Sequence, residues 1–473
     1  MKRIRSSSFS RQFHLANAGI KAGLGWAAAR AGTWSIAESS EREAVREKIA
    51  AEHAQQWVQE VGELKGSVVK LGQILATYGD YCLPKSLALA LHSLEAETEA
   101  LEWSAIAPVI NEALDANTAE LDISRQALAA ASLSQVHRAS IKSSNCEICL
   151  KVLYPQIQNT LASDFKTLKA SLIFIAKKKQ KKEIAQRLDE MFSVLLEEID
   201  LRMELKKIYR WQSRLKFDKR YIVPEVYSQY SSATVLAMSF EEGVSQNDVE
   251  IAALSQKRRN QLAANMLELL LSEILLWGEM QTDPHAGNYR IRLANSADEV
   301  DAIVLLDFGS VRNISEQLLF PLRQMLLAAY SDDSSLLCVA IQEAGFITPD
   351  AAIDVQAAFC DVLMGLMEPL NYRHRLAQGG DIPSYALDEQ GNYCWATARL
   401  PERMGKQALQ SAFSKHFVFP GVDFMLIARK LAGVYAFIAA LDAKFDGGIV
   451  MDKVIARYQS SSVRVSKSAH TGK

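Results

Sequence analysis

The sequence of 473 residues has no excess of charge of either sign, since 53 lysines and arginines oppose 55 aspartates and glutamates for a net charge of −2. This balance excludes a globally basic nucleic-acid-binding protein, and we expect no nucleic-acid partner. The chain also lacks any run of about 18 uninterrupted apolar residues, so the sequence predicts no transmembrane helix. The expected location is the cytoplasm, with peripheral membrane contact as an option, or the matrix side of an organelle in a eukaryotic host.

Cysteine is scarce, and its spacing excludes a disulfide scaffold. The six cysteines are spread along the chain, which fits a reducing compartment; they are Cys82, Cys146, Cys149, Cys338, Cys360 and Cys394. Cys146 and Cys149 form a Cys-x-x-Cys pair that runs directly into an apolar segment, as a strand would. Because no second pair follows at zinc-ligand spacing, we favour the strand and keep a metal or redox site as the alternative.

Acidic residues are missing from the first 37 positions, which form a basic, serine-rich segment. Three interpretations stay open for residues 1–37. The first is a secretory signal, against which Lys21 counts because it interrupts the apolar run. The second is an organellar transit peptide. The third interpretation is a basic segment that lies on an anionic surface or on the rest of the protein.

The periodicity of apolar residues divides the remaining chain into four parts. Residues 38–120 are typical of a helical extension, 121–243 of a small lobe with an antiparallel sheet, 244–459 of a helical C-terminal lobe, and 460–473 of a disordered polar tail. The C-terminal lobe includes a long apolar helix over 255–280 and an irregular stretch over 371–402. The cationic run 177–182 indicates a solvated loop, with a membrane or acidic-partner patch as the alternative.

Two short runs in the C-terminal lobe carry chemistry. Asp283 and Asn288 stand at the ends of Asp-Pro-His-Ala-Gly-Asn, and Asp307 opens Asp-Phe-Gly directly after an apolar stretch. In phosphoryl transfer a protein mainly positions groups and neutralises charge, with magnesium on the phosphates. These tasks need an aspartate near the acceptor, for which Asp283 is the candidate. They also need metal ligands, for which Asn288 and Asp307 are the candidates. Either run alone is a weak signal for this chemistry, but the two runs in this order form a specific one.

A small sheet followed by a helical lobe with two metal-binding turns is the order of elements in a protein kinase. We therefore predict an α+β, protein-kinase-like, two-lobed fold with added N-terminal helices and ATP in the cleft between the lobes. Such a fold needs a lysine on a strand of the small lobe and a carboxylate on a helix. Lys151, inside the segment 148–152, and Glu204 are the candidates, since lysine is seldom buried without a partner. The alternative is a lysine that points from an edge strand into water.

Further motifs make the chain similar to the UbiB family of atypical kinase-like proteins, also called AarF or ADCK. Lys70 to Gln73 match its Lys-x-Gly-Gln signature, and Glu198 to Asp200 match its Glu-x-Asp motif. The segment 129–137 resembles its alanine-rich loop. The resemblance covers residues 60–315 and continues less distinctly through 424–430.

The resemblance implies ATP and Mg2+ as ligands and gives each motif a role. The residues that would bind the nucleotide are Ala129, Ala130, Ala131, Ser132, Lys151 and Glu242. Those that would bind the metal are Asn288 and Asp307. The implied catalytic residues are Asp283, Lys151 and Glu204, and the residues implied to occlude a protein substrate are Lys70, Gln73, Glu198 and Asp200. By composition alone, the alanines would equally suit the start of a helix. If residues 198–204 form a regular helix, Asp200 shares a face with Glu204 and Glu198 does not.

The chain departs from the family pattern around the first aspartate. Gln281 and Thr282 stand where the family has histidine and alanine, Ala286 replaces a proline, and Ser134 replaces a glycine or alanine. The missing histidine bears on how the loop is supported. The resemblance still implies an ATPase or small-molecule kinase that supports isoprenoid-quinone (ubiquinone) metabolism, with a lipid or phenolic quinone precursor as ligand. The alternatives are a nucleotide-gated scaffold and a phosphotransferase of the aminoglycoside or choline kinase type, and the sequence leaves the oligomeric state open.

Overall fold

The computed structural model describes residues 52, 55, 100–131, 133–175, 181–296, 299–347, 352–400, 403 and 422–470. The predicted site residues Lys70, Gln73 and Ser132 lie outside this part of the chain, as does the basic segment 1–37. The chain divides into two compact units. The first comprises residues 1–209 and 225–240, and the second comprises residues 210–224 and 241–473.

The first unit contains a four-stranded antiparallel sheet, preceded and interrupted by helices. Its elements are α1 (Trp103–Leu114), β1 (Leu121–Ala130), β2 (Ser134–Ile141), β3 (Cys146–Leu153), α2 (Ile157–Ile175), α3 (Lys181–Glu198), the start of α4 (Leu201–Leu215), and β5 (Val235–Ser239). The strands lie in the order β1-β2-β3-β5. The sheet predicted over residues 121–152 is confirmed. The unit boundary falls inside α4, between Tyr209 and Arg210.

The core of the first unit lies between α1 and the sheet. Ile106 and Ile110 of α1 are buried in one cluster with Ile148 and Leu150 of β3. Alternate residues of a strand point to opposite faces. The side chains that face α1 are therefore those of Ile148, Leu150 and Val152. Lys151, between the last two, lies on the other face of the sheet.

The second unit combines helices with two small sheets. Its elements are β4 (Tyr221–Ile222), α5 (Val249–Ala252), α6 (Gln256–Ser272), β6 (Glu279–Gln281), β7 (Tyr289–Arg292), β8 (Ala302–Leu305), β9 (Val311–Asn313), α7 (Glu316–Tyr330), α8 (Ser334–Glu343), α9 (Ile353–Leu366), α10 (Glu368–Ala377), α11 (Val422–Ala440) and α12 (Gly447–His470). One sheet has the order β4-β8-β7, and the other pairs β6 with β9. Both candidate chemical runs lie between strands of these sheets.

The structure corrects three boundaries drawn from the sequence. The helix predicted over 255–280 is regular only to Ser272, and one π turn follows it. Gly278, with a φ of 62°, ends this turn and directs the chain into β6. The irregular stretch predicted over 371–402 begins after α10, at Ala377. The last helix includes residues 460–470, for which the sequence predicted a disordered tail. A helix satisfies its own backbone hydrogen bonds, so it can continue beyond the residues that it packs against.

The cysteine pattern also takes a definite form. Cys146 and Cys149 are an odd number of residues apart on β3, so their side chains leave opposite faces of the sheet and cannot share a metal ion. The metal alternative at this pair is therefore wrong. Cys338 and Cys360, distant in sequence, meet with their sulfur atoms 2.6 Å apart. Within the described residues, none of the helices is both long and apolar enough to cross a membrane.

Candidate active site

Lys151 forms the ion pair expected of a kinase-like small lobe. Its Nζ donates to both carboxylate oxygens of Glu204, at 2.8 and 2.9 Å. The side chain of Glu204 is 3% exposed and that of Lys151 is 14% exposed. A pair this deeply buried needs both charges, since removal of one leaves the other without compensation. The predicted pairing is present, and it fixes the ammonium in one position.

The position of β3 in the sheet explains how Lys151 reaches this partner. Lys151 pairs in register with Val136 of β2 on one side and with Leu236 of β5 on the other. It therefore lies on an interior strand, and the alternative of an edge-strand lysine in water is wrong. Glu204 sits in the first turn of α4, where a carboxylate is favoured by the helix dipole.

The alanine-rich segment is the turn between β1 and β2. Ala129 and Ala130 end β1, and the N–H of Ala131 donates to the carbonyl oxygen of Ser134 at 2.8 Å. The carbonyl oxygen of Ala131 accepts a hydrogen bond of 2.8 Å from the hydroxyl of Tyr154, which follows β3. The segment is thus a tied strand-to-strand turn, and the alternative of a helix start is wrong. Sequence reasoning did not identify Tyr154, which connects this turn to the strand of Lys151.

The Glu-x-Asp motif does not lie on a regular helix. Glu198 ends α3 and Asp200 precedes α4, so the condition for a shared face of Asp200 and Glu204 is not met. The carboxylate of Asp200 accepts from the backbone N–H of Arg202 at 3.1 Å and pairs with the Arg202 guanidinium at 2.8 and 2.9 Å. The hydrogen bond from Arg202 lowers the pKa of Asp200. Asp200 acts as the N-cap of α4, which explains why the chain breaks here.

The loop from Asp283 to Asn288 is held together by its own side chains. The amide Nδ2 of Asn288 donates to the backbone oxygen of Asp283 at 3.0 Å and to its carboxylate Oδ2 at 3.1 Å. Gln281 donates from Nε2 to the same backbone oxygen at 2.6 Å. The glutamine that stands where the family has histidine therefore supports the loop directly. His285 also contributes, since its Nδ1 accepts from the N–H of Gly287 at 3.0 Å.

The two small sheets bring Asp307 next to this loop. Tyr289 of β7 pairs with Leu305 of β8, and the N–H of Leu306 donates to the carbonyl oxygen of Asn288 at 3.0 Å. Asp307 is the next residue, and its Oδ1 accepts from the N–H of Gly309 at 2.9 Å, which closes the turn. Asn288 and Asp307 thus occupy adjacent positions at one end of the β7–β8 ladder.

These residues fit a magnesium ion held together with phosphates. Asn288 uses its amide nitrogen on the loop, so its Oδ1 is the atom that it offers to a metal. Asp307 supplies a carboxylate beside it. In the described part of the chain, no three His, Cys, Asp or Glu side chains form a metal-binding cluster. Magnesium needs no such cluster, because it is commonly held by one or two protein groups, substrate phosphates and water.

Helix α11 packs directly on the Asp283 loop. Arg429 donates from Nη2 to Oδ1 of Asp283 at 3.1 Å. One turn further, a Cβ added to Gly433 would lie 2.2 Å from Cβ of Pro284, so only glycine permits this approach. The sequence presented Arg429 merely as part of a weak resemblance. The structure makes it a direct neighbour of the candidate catalytic carboxylate.

A buried ion pair lies beneath the loop. Lys430 of α11 and Glu273 of the π turn are 1% and 0% exposed, and Nζ lies 3.4 Å from Oε1. Burial raises the pKa of Glu273 to about 7. Burial also acts to lower the pKa of Lys430, but the charge of Glu273 and the contact with Tyr289 outweigh it and leave that pKa raised. The ammonium is therefore charged, and burial makes the carboxylate beside it easier to protonate than an ordinary glutamate.

Glu242, predicted to contact the nucleotide, is exposed and lies where the chain returns to the second unit. Its backbone oxygen accepts a hydrogen bond of 3.4 Å from Arg292, and the neighbouring Glu241 pairs with Arg292 at 2.6 Å. Arg292 ends β7, so this segment is anchored to the same ladder as Asn288.

Comparison with known proteins gives the family. Residues 93–340, just over half of the chain, match the ABC1 atypical kinase-like domain. The chain belongs to this family. The predicted resemblance to UbiB and AarF proteins is therefore confirmed, and this ABC1 protein is an atypical kinase.

Curated relatives of this ABC1 kinase extend over most of the chain. It is 25% identical over 436 residues to the mitochondrial atypical kinase COQ8 of Saccharomyces cerevisiae, which covers 91% of this chain and 84% of the relative. It is 26% identical over 427 residues to the chloroplastic protein ACTIVITY OF BC1 COMPLEX KINASE 8 of Arabidopsis thaliana, covering 86% of this chain and 54% of that protein. Both relatives are named as organellar proteins.

A solved structure confirms the fold of this ABC1 kinase. Rv3197 of Mycobacterium tuberculosis, in its complex with erythromycin, matches with a TM-score of 0.56 over 88% of this chain and 98% of that chain, at 20% sequence identity. The predicted α+β, protein-kinase-like fold is confirmed. The kinase-like family implies the use of ATP.

Proposed function

We propose that this ABC1 kinase binds ATP with Mg2+ and transfers the terminal phosphoryl group to water or to a small-molecule acceptor. Lys151, fixed by Glu204, would hold the α- and β-phosphates. The turn of Ala129, Ala130, Ala131 and Ser132 would cover the nucleotide, and Glu242 would lie at its base. Alanines restrict the backbone more than glycines do, so this turn would admit few nucleotide poses.

The residues of the second unit would perform the transfer. Asn288 and Asp307 would hold magnesium, which when bound would neutralise charge on the phosphates. Asp283 would orient the acceptor through Oδ2 while Arg429 holds Oδ1. The observation that carries this proposal is the tied loop, in which Asn288 fixes both the backbone and the carboxylate of Asp283.

The family resemblance supports isoprenoid-quinone metabolism as the context, with a lipid or phenolic quinone precursor as the ligand. We place the protein on the cytoplasmic or organellar matrix side, in peripheral contact with a membrane. Lys70, Gln73, Glu198 and Asp200 would occlude a protein substrate, as the resemblance implies. Phosphorylation of proteins in trans is accordingly not the output that we propose.

The proposal is tested by Mg2+-dependent ATP hydrolysis of the purified chain, with and without anionic liposomes and a phenolic quinone precursor. Asp283→Asn should lower kcat at least about 100-fold, because a neutral amide can neither take the proton of the acceptor nor hold the acceptor as firmly as a carboxylate does. Asp381→Asn, at an exposed position of the irregular stretch, is the matched control and should retain the wild-type rate.

ATP binding without turnover in any of these conditions would favour the nucleotide-gated scaffold. In that case Asp283→Asn should still complement a deletion strain. Absence of both nucleotide binding and hydrolysis would overturn the proposal.

A further inference from the structure

The side chain of Lys430 is the centre of a buried hydrogen-bonded network behind the candidate catalytic loop. Its Nζ lies 3.0 Å from the hydroxyl of Tyr289, 3.4 Å from Oε1 of Gln281 and 3.4 Å from Oε1 of Glu273. It also lies 5.5 Å from the centre of the Tyr289 ring. Burying an ammonium group costs free energy even when it is paired. An apolar side chain would fill this position without that cost, so packing alone does not explain why a lysine is here.

The chemistry of the donors fixes the orientation of Gln281. An ammonium donates and never accepts, so the oxygen end of the Gln281 amide must face Lys430. The Tyr289 hydroxyl donates to the same oxygen at 3.1 Å. The nitrogen end is thereby directed to the backbone oxygen of Asp283, at 2.6 Å. The ammonium on α11, together with the Tyr289 hydroxyl to which it donates, therefore determines which end of the Gln281 amide supports the loop.

We propose that Lys430 is a positioning residue for the catalytic loop, acting through Gln281 on the backbone of Asp283. Glu273 keeps the buried ammonium charged and fixed, and α11 delivers it together with Arg429. The proposal rests on the proposed function in assigning Asp283 to the acceptor. It explains how the loop is supported where the family histidine is replaced by glutamine.

The test removes both buried charges together, because loss of one alone would leave the other unpaired and could unfold the protein. In Lys430→Met/Glu273→Gln the amide oxygen of Gln281 loses the ammonium and keeps only the Tyr289 hydroxyl as a donor, so the amide is held less firmly. We expect kcat for ATP hydrolysis to fall about 10- to 100-fold with the KM for ATP within twofold, since a small displacement of a catalytic group has effects of this size. Lys257→Met, on an exposed lysine of α6, is the control and should leave both values unchanged.

Two further measurements separate positioning from loss of stability. Adding Gln281→Leu to the double variant should lower kcat less than threefold more, because the same hydrogen bond is already released. Amide hydrogen exchange of the 283–288 loop should accelerate at least tenfold in the double variant, and this measurement needs no turnover. It therefore tests the positioning role even if the wild type proves to hydrolyse no ATP. Unchanged loop exchange, or a kcat within threefold of wild type in an active enzyme, would overturn the proposal.

A second, independent observation concerns the two cysteines that meet in the helical part of the second unit. Sγ of Cys338 on α8 and Sγ of Cys360 on α9 are 2.6 Å apart, and both residues carry thiols. Cys360 is buried, while Cys338 is partly exposed. Burial raises the pKa of the Cys360 thiol to about 12. An oxidant from solvent would accordingly meet Cys338 first.

We propose that Cys338 and Cys360 form a disulfide when the protein meets a hydroperoxide. The Cys338 thiolate attacks the O–O bond, which gives a sulfenic acid and releases water or an alcohol. The Cys360 thiol, giving up its proton, then attacks that sulfur, and the S–O bond breaks to release one water. Two thiols are oxidised by two electrons, and one peroxide bond is reduced.

Intact and peptide mass spectrometry of the full chain after hydrogen peroxide treatment and alkylation tests this proposal. The expected product is a peptide pair that joins Cys338 to Cys360, lost in Cys360→Ser and reversed by dithiothreitol. Cys149 and Cys394, buried elsewhere, serve as internal controls and should stay unlinked. Full alkylation of Cys338 and Cys360 after peroxide, or linkage of Cys338 to another cysteine, would overturn it.

Discussion

The pair of Lys151 and Glu204 is the clearest case of a single residue whose environment follows from the sequence. A lysine within an apolar strand requires a carboxylate, and Glu204 is that partner at 2.8 Å. The role of Gln281 could not be predicted in the same way. Its support of Asp283 depends on Lys430, which lies 149 positions later in the chain. Local spacing carries no information about such a contact.

The substitution Glu204→Gln should show what the pair contributes. A neutral amide cannot balance the Lys151 ammonium, so we expect a loss of about 3 kcal/mol in the free energy of unfolding. The kcat/KM for ATP should fall at least about tenfold, because the ammonium is no longer held in place. Urea unfolding and steady-state kinetics measure the two effects.

The exposed pair of Arg138 and Glu147 in the same sheet provides the control. Their side chains are 44% and 51% exposed, so Glu147→Gln should change stability by less than about 1 kcal/mol and leave kinetics unaltered. Equal effects of the two substitutions would show that burial of the Lys151 pair has no particular importance.

At the scale of elements, the sequence predicts strands and helices better than their ends. The sheet of residues 121–152 follows from alternation and turns, but the regular helix considered for residues 198–204 is broken between α3 and α4. The overlooked signal was Asp200, a residue type favoured at N-caps, directly before a helical run. Gly278 was likewise the signal for the end of the helical segment that precedes Asp283.

The capping role of Asp200 predicts a definite order of stability. Asparagine can accept the same hydrogen bond from the N–H of Arg202, whereas alanine cannot. Asp200→Ala should lower the free energy of unfolding by about 1 kcal/mol, and Asp200→Asn by less, since asparagine keeps the cap and loses only the charge at the helix start and the exposed ion pair with Arg202. Thermal unfolding of the three proteins side by side provides the measurement. An alanine variant as stable as the asparagine variant would contradict the cap.

At the scale of the whole chain, family membership extends the motifs into a fold, but it does not supply the charge networks. The match over residues 93–340 ends before α11 and α12 begin. These two helices nevertheless provide Arg429 to Asp283 and Lys430 to Gln281 and Tyr289. They also provide Lys453 and Arg457 to Glu268 of α6. Such contacts join residues far apart in sequence, so composition and periodicity could not predict them.

Glu268 connects three segments of the second unit through one carboxylate. Its side chain is 6% exposed and pairs with Arg220 at 2.6 Å, Lys453 at 2.8 Å and Arg457 at 3.0 Å. Burial acts to raise the pKa of Glu268, but hydrogen bonds from Arg220 and Lys453 outweigh it and lower the pKa to about 2. A carboxyl whose folded pKa lies below its unfolded value stabilises the fold above the unfolded pKa. That stability is lost as the pH falls toward the folded pKa.

Urea unfolding of wild type and Glu268→Gln at several pH values isolates this contribution. At pH 7 the variant should be less stable by about 3 kcal/mol or more, because Arg220 and its neighbours lose their counter-charge. Between pH 7 and pH 3 the difference should narrow by about 2 kcal/mol, since the wild-type carboxylate gradually loses its advantage there. Glu389→Gln, at an exposed position, is the control and should differ little from wild type at every pH. A gap between wild type and Glu268→Gln that stays constant from pH 7 to pH 3 would show that this carboxylate does not couple α6, α12 and the segment before β4 as its contacts indicate.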